Sequence, residues 1–174
     1  MMGGKASRVK GHDDECVIVG IDPGTEQSAW VEIQLPGLTV LRREILPNEE
    51  VVEYLRDTLA EYIAIEMIAC YGMSVGAEVF ETCVWIGRMI EARRDATLYP
   101  VARVFRREVK MALCGSVRAK DANVRQALID LYGPGKDKAV GLKASPGPLY
   151  GVRKDMWQAL GVAVTFAKRM EGVK

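Results

Sequence analysis

Three apolar segments of the chain each carry a carboxylate at one end, and this pattern restricts the fold more than any other feature. CVIVGID at Cys16–Asp22 and YIAIEM at Tyr62–Met67 are apolar runs of the kind that form buried strands, and each has its acid at or near the carboxyl end. Farther along, Asp155 begins the amphipathic segment DMWQALGVA. Because carboxylates gathered from distant segments repel each other unless a cation holds them, the sequence predicts a divalent-metal site.

The order of the predicted elements indicates a single α/β domain in a chain of 174 residues. After the first strand come two strands around a turn at Pro36-Gly37, and then a helix whose N-cap is Asn48. A strand that follows a helix commonly runs parallel to an earlier strand, so Glu66 is expected beside Asp22. The predicted strands are 16–22, 28–34, 38–45, 62–67 and 98–104, and the predicted helices begin at 48, 75 and 155, with two basic helices before the last.

This order of elements is that of a ribonuclease H-like fold. Such a fold has a five-stranded mixed sheet, with three antiparallel strands followed by parallel strands, flanked by helices. Residues 1–15 are predicted to be a flexible extension and 16–174 the folded domain, with a mobile basic Gly/Pro loop at about 133–152. In such a sheet, ligands gather at the carboxyl ends of the parallel strands, where the acids are expected.

Residue usage excludes several kinds of site. His12 is the only histidine, which argues against Ser-His-Asp, Cys-His and most zinc hydrolase chemistry. The four cysteines form no CxxC pair, no apolar run approaches a membrane span, and no signal peptide is evident, so the protein is expected to remain in the cytoplasm. The segment between Arg103 and Arg125 is strongly basic, which suits a polyanion brought to a metal, although solvated helix faces remain an alternative interpretation.

The motifs GIDPGT, AIE and DxxxALGVA, in this order and at these separations, resemble the RuvC family of Holliday junction resolvases. The segments TCVWIGRMIEA and VFRREVKMALCGSVRAKDANVRQAL are similar to the family's central helix and basic segment, and PGPLYG resembles bacteriophage-encoded members. The resemblance implies a homodimeric crossover junction endodeoxyribonuclease that cuts four-way DNA junctions, or related branched DNA, symmetrically. It also implies two Mg²⁺ ions per site, with Mn²⁺ as a substitute, no nucleotide cofactor and, for a phage-encoded protein, the host cytoplasm.

Carried over position by position, the resemblance assigns catalysis and metal binding to Asp22, Glu66 and Asp155. The family usually has a second acid three residues after the position of Asp155, whereas this chain has Gln158 there. A neutral amide holds a hard cation less strongly than a carboxylate does, so the site is expected to have three carboxylates instead of four. The sequence also offers other acids that could complete the site, and it does not choose among them: Glu78, Glu81 and Asp137.

The resemblance also implies a DNA-binding surface and a stacking residue. Where the family has an aromatic residue that stacks on an unpaired base, this chain has Ala69, so Tyr71 is the candidate replacement and Met73 an alternative wedge. The candidate phosphate contacts are Lys110, Lys120, Arg118, Arg107, Arg106 and Arg103.

Several alternatives stay open at this point. A catalytically weak branched-DNA-binding protein would account for Gln158, and a ribosomal RNA-processing nuclease of the same superfamily would share the acids. Dimerisation is expected through the helix at 75–94, whose apolar residues form two faces. One face consists of Val79, Cys83, Ile86 and Ile90, and the other of Trp85 and Met89. These faces could instead pack on the sheet and under a loop.

Overall fold

The computed structural model describes residues 15–94 and 99–172. The predicted extension, apart from residue 15, and His12 therefore lie outside the described residues, as does Leu98 at the start of the predicted fifth strand. The strands are β1 (Cys16–Asp22), β2 (Gln27–Leu35), β3 (Thr39–Pro47), β4 (Tyr62–Met67), β5 (Ala102–Phe105), β6 (Gly141–Leu142) and β7 (Ser145–Pro146). The helices are α1 (Asn48–Asp57), α2 (Ala77–Ala92), α3 (Arg106–Cys114), α4 (Asp121–Tyr132), α5 (Lys136–Ala139) and α6 (Met156–Gly172).

The main sheet has five strands in the order β3-β2-β1-β4-β5, and β6 and β7 form a separate two-stranded sheet. β1, β2 and β3 pair antiparallel, whereas β4 lies parallel to β1 and β5 parallel to β4. The predicted mixed sheet, three antiparallel strands followed by parallel ones, is therefore confirmed. Its parallel strands β1, β4 and β5 all point their carboxyl ends at the same edge.

Side-chain alternation along the strands gives the sheet two apolar faces. Ile18 of β1, Ala64 of β4 and Val104 of β5 face a core cluster that includes the inner side of α6. Residues on the other face of the sheet, such as Val19 and Ile65, pack in a second cluster with α1 and α2. The sheet is thus covered on both sides, which explains why β1 and β4 are almost continuously apolar.

The helix α6 crosses the centre of the sheet at very short range. A Cβ atom added at Gly20 of β1 would lie 2.2 Å from the carbonyl oxygen of Ala159 and 2.6 Å from the backbone nitrogen of Ala163. On its other side, α6 meets α3 at Gly161, where an added Cβ would lie 3.2 Å from a methyl group of Val109. Small residues therefore let one helix pack closely against both the sheet and α3.

Three details of the predicted elements were wrong. Asn48 is not the N-cap of α1: Pro47 holds that position, and Asn48 is the buried first residue of the helix. The fifth strand begins at Ala102, four residues later than expected. In α2, Met89 is buried together with Ile86, so these two residues share one face instead of lying on two.

The segment between α4 and α6, predicted to be a loop, contains local structure and core residues. It includes α5, β6 and β7, and the side chains of Ala139 and Leu149 are fully buried. Arg43 of β3 donates a hydrogen bond to the carbonyl oxygen of Tyr150, which ties the segment to the sheet edge. Its mobility stays a prediction. Among the described helices, none is both long and apolar enough to cross a membrane.

Candidate functional site

Asp22 and Glu66 lie side by side where two parallel strands end. Ile21 pairs with Ile65 in the register of β1 and β4, so the next residue of each strand carries the acid. Asp22 shares its side of the sheet with Ile18 and Gly20, because residues two apart in a strand point the same way. Both carboxylates therefore face α6, and the predicted juxtaposition is confirmed at the backbone level.

A hydrogen-bonded ring fixes the turn that follows Asp22. The backbone N–H of Gly24 donates to Oγ of Ser28 at 3.2 Å, and that hydroxyl donates to Oδ1 of Asn48 at 2.6 Å. The side-chain Nδ2 of Asn48 then donates back to the carbonyl oxygen of Gly24 at 3.0 Å. Asn48 is thus a support for the Asp-Pro-Gly turn, which explains why a polar residue is fully buried at the start of α1.

Asp155 lies directly before α6, and its carbonyl oxygen accepts hydrogen bonds from the backbone N–H groups of Gln158 and Ala159. Its side chain is exposed, whereas the Oε1 atom of Gln158 is buried. Within the described part of the chain, that oxygen has no hydrogen-bond partner. A buried acceptor without a donor is costly, which marks Gln158 as a residue suited to a further ligand.

Burial and neighbouring charges change the pKa of the two strand-end carboxylates. Burial, followed by the charges of Glu66 and Asp155, raises the pKa of Asp22 to about 8, although Arg106 acts in the opposite direction. Burial also raises the pKa of Glu66, against the lowering effect of Arg106. Asp155 is therefore close enough to Asp22 to act on its charge, and the sequence-based grouping of these acids has electrostatic support.

Arg106 and Asp121 are part of this site, although the sequence did not assign them to it. Nη1 of Arg106 lies 3.4 Å from Oε2 of Glu66, and Nη2 lies 2.7 Å from Oδ1 of Asp121. Burial alone would lower the pKa of Arg106, but Glu66 and Asp121 raise it above its ordinary value. Asp121 also raises the pKa of both Asp22 and Glu66, as a fourth acid of the site would.

The donor chemistry of the site fits a hard divalent cation. Carboxylate oxygens and the unpartnered amide oxygen of Gln158 are ligands that Mg²⁺ and Mn²⁺ accept. In residues 15–94 and 99–172, however, no three His, Cys, Asp or Glu side chains form a group that could hold a metal ion. The site therefore fits a divalent cation by the chemistry and charge of its residues, and not by their geometry in this structure. The residues predicted to hold the ion are Asp22, Glu66, Asp155 and Gln158, and this assignment stays a prediction.

The predicted basic DNA-binding residues lie between β5 and the start of α4, and two of them, Arg106 and Lys110, act on the charge of Glu66. Lys110 of α3 is close enough to lower the pKa of Glu66 against the dominant effect of burial. Arg103, Arg107, Arg118 and Lys120 are exposed to solvent. Arg106 differs from them because its guanidinium already contacts two carboxylates.

The two candidate wedge residues lie in the exposed loop after β4. The side chain of Tyr71 is 54% exposed and that of Met73 is 71% exposed. The guanidinium of Arg107 lies over the Tyr71 ring, 5.0 Å from its centroid. This cation–π contact holds the aromatic ring beside the basic start of α3.

Solved structures with a similar fold are found by comparison. The RuvC structure from Thermus thermophilus has 23% sequence identity and a TM-score of 0.64, and covers 89% of this chain and 96% of its own. T. thermophilus RuvC in complex with a Holliday junction substrate has the same identity and TM-score, with coverage of 90% and 96%. No protein-family model and no curated protein matches the sequence. The structural likeness agrees with the resemblance in the motifs, and this chain has the ribonuclease H-like fold of RuvC.

Proposed function

We propose that this protein is a divalent-metal-dependent endonuclease that cuts four-way DNA junctions or related branched DNA. One observation carries the proposal: Glu66 and Asp155 both act on the charge of Asp22 at the edge where β1 and β4 end, in a chain with the fold of RuvC. Strand ends of this kind are where ligands bind in such sheets. The junction in the complex of T. thermophilus RuvC supports branched DNA as the substrate class.

The proposed reaction is hydrolysis of a phosphodiester bond by water. A divalent cation, when bound, would lower the pKa of the attacking water and stabilise the leaving oxygen. Asp22, Glu66 and Asp155 would hold the cation, and the exposed position of Asp155 leaves room for DNA on that side. The products would carry a 5′-phosphate and a 3′-hydroxyl, with no covalent enzyme intermediate.

Basic residues on α3 and at the start of α4 would bind the DNA backbone. Lys110 acts on the charge of Glu66, so it is the best candidate for a phosphate next to the cut. The outer contacts would come from Arg103, Arg107, Arg118 and Lys120. Tyr71 would stack on a base at the branch point, and Met73 would act beside it as a wedge.

A homodimer would present two such sites to the matching arms of a junction. On α2, Phe80 is 61% exposed and Val84 is 58% exposed, one helical turn apart. Large apolar side chains that share an exposed helix face are typical of interaction surfaces. We propose that this face of α2 contributes to the dimer, and assignment to the bacteriophage type stays a prediction.

A second candidate function is binding of branched DNA without efficient cutting. It is favoured by Gln158 in place of an acid, and by the ion pair that Arg106 forms with Glu66. Both features reduce the negative charge available to a cation. The basic surface of α3 would serve either function equally, so DNA binding alone does not separate them.

The test is cleavage of a labelled four-way junction and of a linear duplex of matched sequence, with Mg²⁺ and with Mn²⁺. We expect paired, symmetric nicks in the junction only. Asp22→Asn should abolish cutting and leave junction binding near normal, and Asp130→Asn is the matched control because Asp130 is an exposed acid on α4. Cutting by Asp22→Asn at the wild-type rate would refute the assigned site. Junction binding without cutting in either metal would establish the second candidate.

A further inference from the structure

A cleft lies along the outer strand of the sheet, close to the end at which the acids are found. β3 runs in the same direction as β1, because both pair antiparallel with β2, so both strands end at the same edge. Asp22 pairs with Ala29 and Ala29 with Ile45, so the backbones of Asp22 and Ile45 are about 10 Å apart, which is two strand spacings. The cleft has a volume of about 660 Å³, and it is lined by residues 42–46 of β3 together with Gly151, Arg153 and Met156.

Arginines outnumber acids in this cleft. Its charged lining residues are Arg42, Arg43, Arg153 and one acid, Glu44. Glu32, which pairs with Arg42 across the strands, is 7% exposed and accepts a hydrogen bond from the hydroxyl of Tyr54. Even with the charge of Glu32 counted, there are three positive groups and two negative ones. In residues 15–94 and 99–172, none of the three arginines forms an ion pair, so the cleft is suited to an anion.

The segment before α6 orients the guanidinium of Arg43. Its Nη2 atom donates a hydrogen bond to the carbonyl oxygen of Tyr150, and a Cβ atom added at Gly151 would lie 2.8 Å from the same Nη2. Leu149 and Val152, on either side of these two residues, are buried in the core and hold the segment in place. A guanidinium has five N–H donors, so this contact fixes Arg43 and leaves other donors for a ligand.

The strand order places the acids between this cleft and the basic helix α3. Asp22 and Glu66 lie on β1 and β4, in the middle of the order β3-β2-β1-β4-β5. On one side of them β5 leads into α3, and on the other side lies β3 with its three arginines. Arg153 precedes the exposed Asp155 by two residues, so the cleft adjoins the acidic site. A DNA strand that runs along this edge with one phosphate at the acids meets α3 in one direction and the cleft in the other.

We propose that the cleft binds the phosphate backbone of the DNA on the side of the cut away from α3. Arg43 and Arg153 are the inner contacts, and Arg42 is the outer one. This inference rests on the proposed function and adds a second phosphate-binding surface to it. Arginine suits this role because its planar guanidinium can donate two parallel hydrogen bonds to one phosphate. Arg43 lies about 12 Å from Asp22 by strand geometry, so the bound phosphates are about two to four nucleotides from the cut.

The test combines arginine variants with the removal of single phosphate charges. Junctions are synthesised with one uncharged methylphosphonate at successive positions on either side of the cut, or of the branch point if the protein binds without cutting. Junction binding is measured by fluorescence anisotropy in EDTA, so that no cutting occurs. For wild type, we expect one group of sensitive positions on each side.

Arg153→Gln should bind the unmodified junction about five- to tenfold more weakly in 0.1 M salt, which is the effect of losing one phosphate contact. Its salt slope should fall by about 1, and it should no longer respond to methylphosphonates at one of the two groups of positions. Lys110→Gln should still respond at that group. Arg56→Gln is the matched control and should bind as wild type, because Arg56 is an exposed arginine in the last turn of α1.

Arg43→Gln should weaken binding by a similar factor, and it should also melt at a lower temperature because Tyr150 loses its donor. Arg42 and Arg153 are exposed, so their glutamine variants should melt as wild type does. These two variants decide the question if Arg43→Gln does not fold.

The outcomes separate this inference from the proposed function. Unchanged junction affinity in the double variant Arg42→Gln, Arg153→Gln would overturn the role of the cleft and leave the proposed function intact. The same follows if Arg153→Gln binds more weakly but responds to every methylphosphonate as wild type does. It also follows if Lys110→Gln and Arg153→Gln become insensitive at the same positions. Failure of wild type to bind the junction would overturn the proposed function and the inference together.

Discussion

The close contact between β1 and α6 makes Gly20→Ala a sensitive probe of the site. The added Cβ atom would lie 2.2 Å from the Ala159 carbonyl oxygen, 2.6 Å from the Ala163 nitrogen and 2.7 Å from the Ala163 Cβ. Two of these atoms belong to the helix backbone, so no side chain can rotate away to relieve the overlap. The helix must therefore move outward by about 1 Å, which is the shortfall from ordinary packing distance.

The cost of Gly20→Ala follows from overpacking, which typically destabilises a core by about 1–3 kcal/mol. Because the clash is with backbone, we expect the upper end of that range, offset by about 0.5–1 kcal/mol because alanine loses less backbone entropy than glycine on folding. The net loss of about 2 kcal/mol corresponds to a fall in melting temperature of about 4–8 °C for a domain of this size. Cleavage should fall about 100-fold, since Asp155 directly precedes α6 and would move with it, and a 1 Å displacement of a catalytic group has effects of this order.

Thermal and urea unfolding followed by circular dichroism would measure the change. Gly87→Ala is the matched control, because Gly87 lies inside α2 and an added Cβ would meet no atom within 4 Å. That variant should gain about 1 kcal/mol, the difference in helix propensity between glycine and alanine. If Gly20→Ala is as stable and as active as wild type, the packing of α6 does not control the position of Asp155.

Three further predictions concern individual residues of the site. In EDTA, the unfolding free energy of wild type should fall as the pH rises from about 4 toward 8. Burial raises the pKa of folded Asp22 to about 8, whereas Asp22 of the unfolded chain has a pKa of 3.8, so the folded protein keeps a proton over this range that the unfolded chain releases. Asp22→Asn should lose this dependence in urea titrations at several pH values, and parallel profiles would contradict it. Gln158→Asp should tighten Mg²⁺ binding about tenfold in calorimetry, and an unchanged affinity would place Gln158 outside the ligand shell. Tyr71→Ala should weaken junction binding by about 1–3 kcal/mol while duplex binding is unchanged. Tyr71→Phe, which keeps an aromatic ring, should bind both DNAs as wild type does. Equal losses for junction and duplex would rule out stacking at the branch.

The strand-end acids could be predicted because local pattern and topology agree at Asp22 and Glu66. Each follows a nearly continuous apolar run, and a parallel pair brings the ends of such runs together. The bounds of β1 and β4 accordingly match the prediction, whereas β5 is shorter. Pro100 lies inside the predicted run, and the strand begins only beyond it, because proline cannot donate a ladder hydrogen bond.

The ion pair between Arg106 and Asp121 could not be predicted from local pattern. Asp121 reads as an ordinary acid in the first turn of a helix, where it favours the helix dipole. Its approach to Arg106 depends on the chain reversal between α3 and α4, which starts at Gly115 with a φ of 67°. The available sequence signal for this ion pair was the position of Asp121, an acid at the start of a helix within the basic segment between Arg103 and Arg125.

The site divides into a rigid part and an exposed part, and this division follows from how each is built. Asp22, Glu66 and Arg106 are delivered by neighbouring strand ends, and Asp155 by a helix that packs closely against the sheet. Groups on such elements keep their geometry, as metal chemistry requires. Tyr71, by contrast, lies in an exposed loop, where the guanidinium of Arg107 lies over its ring. A substitution of Tyr71 can therefore alter which DNA is bound while the acids stay in position. A substitution that shifts α6 would also move Asp155 and so disturb the acids.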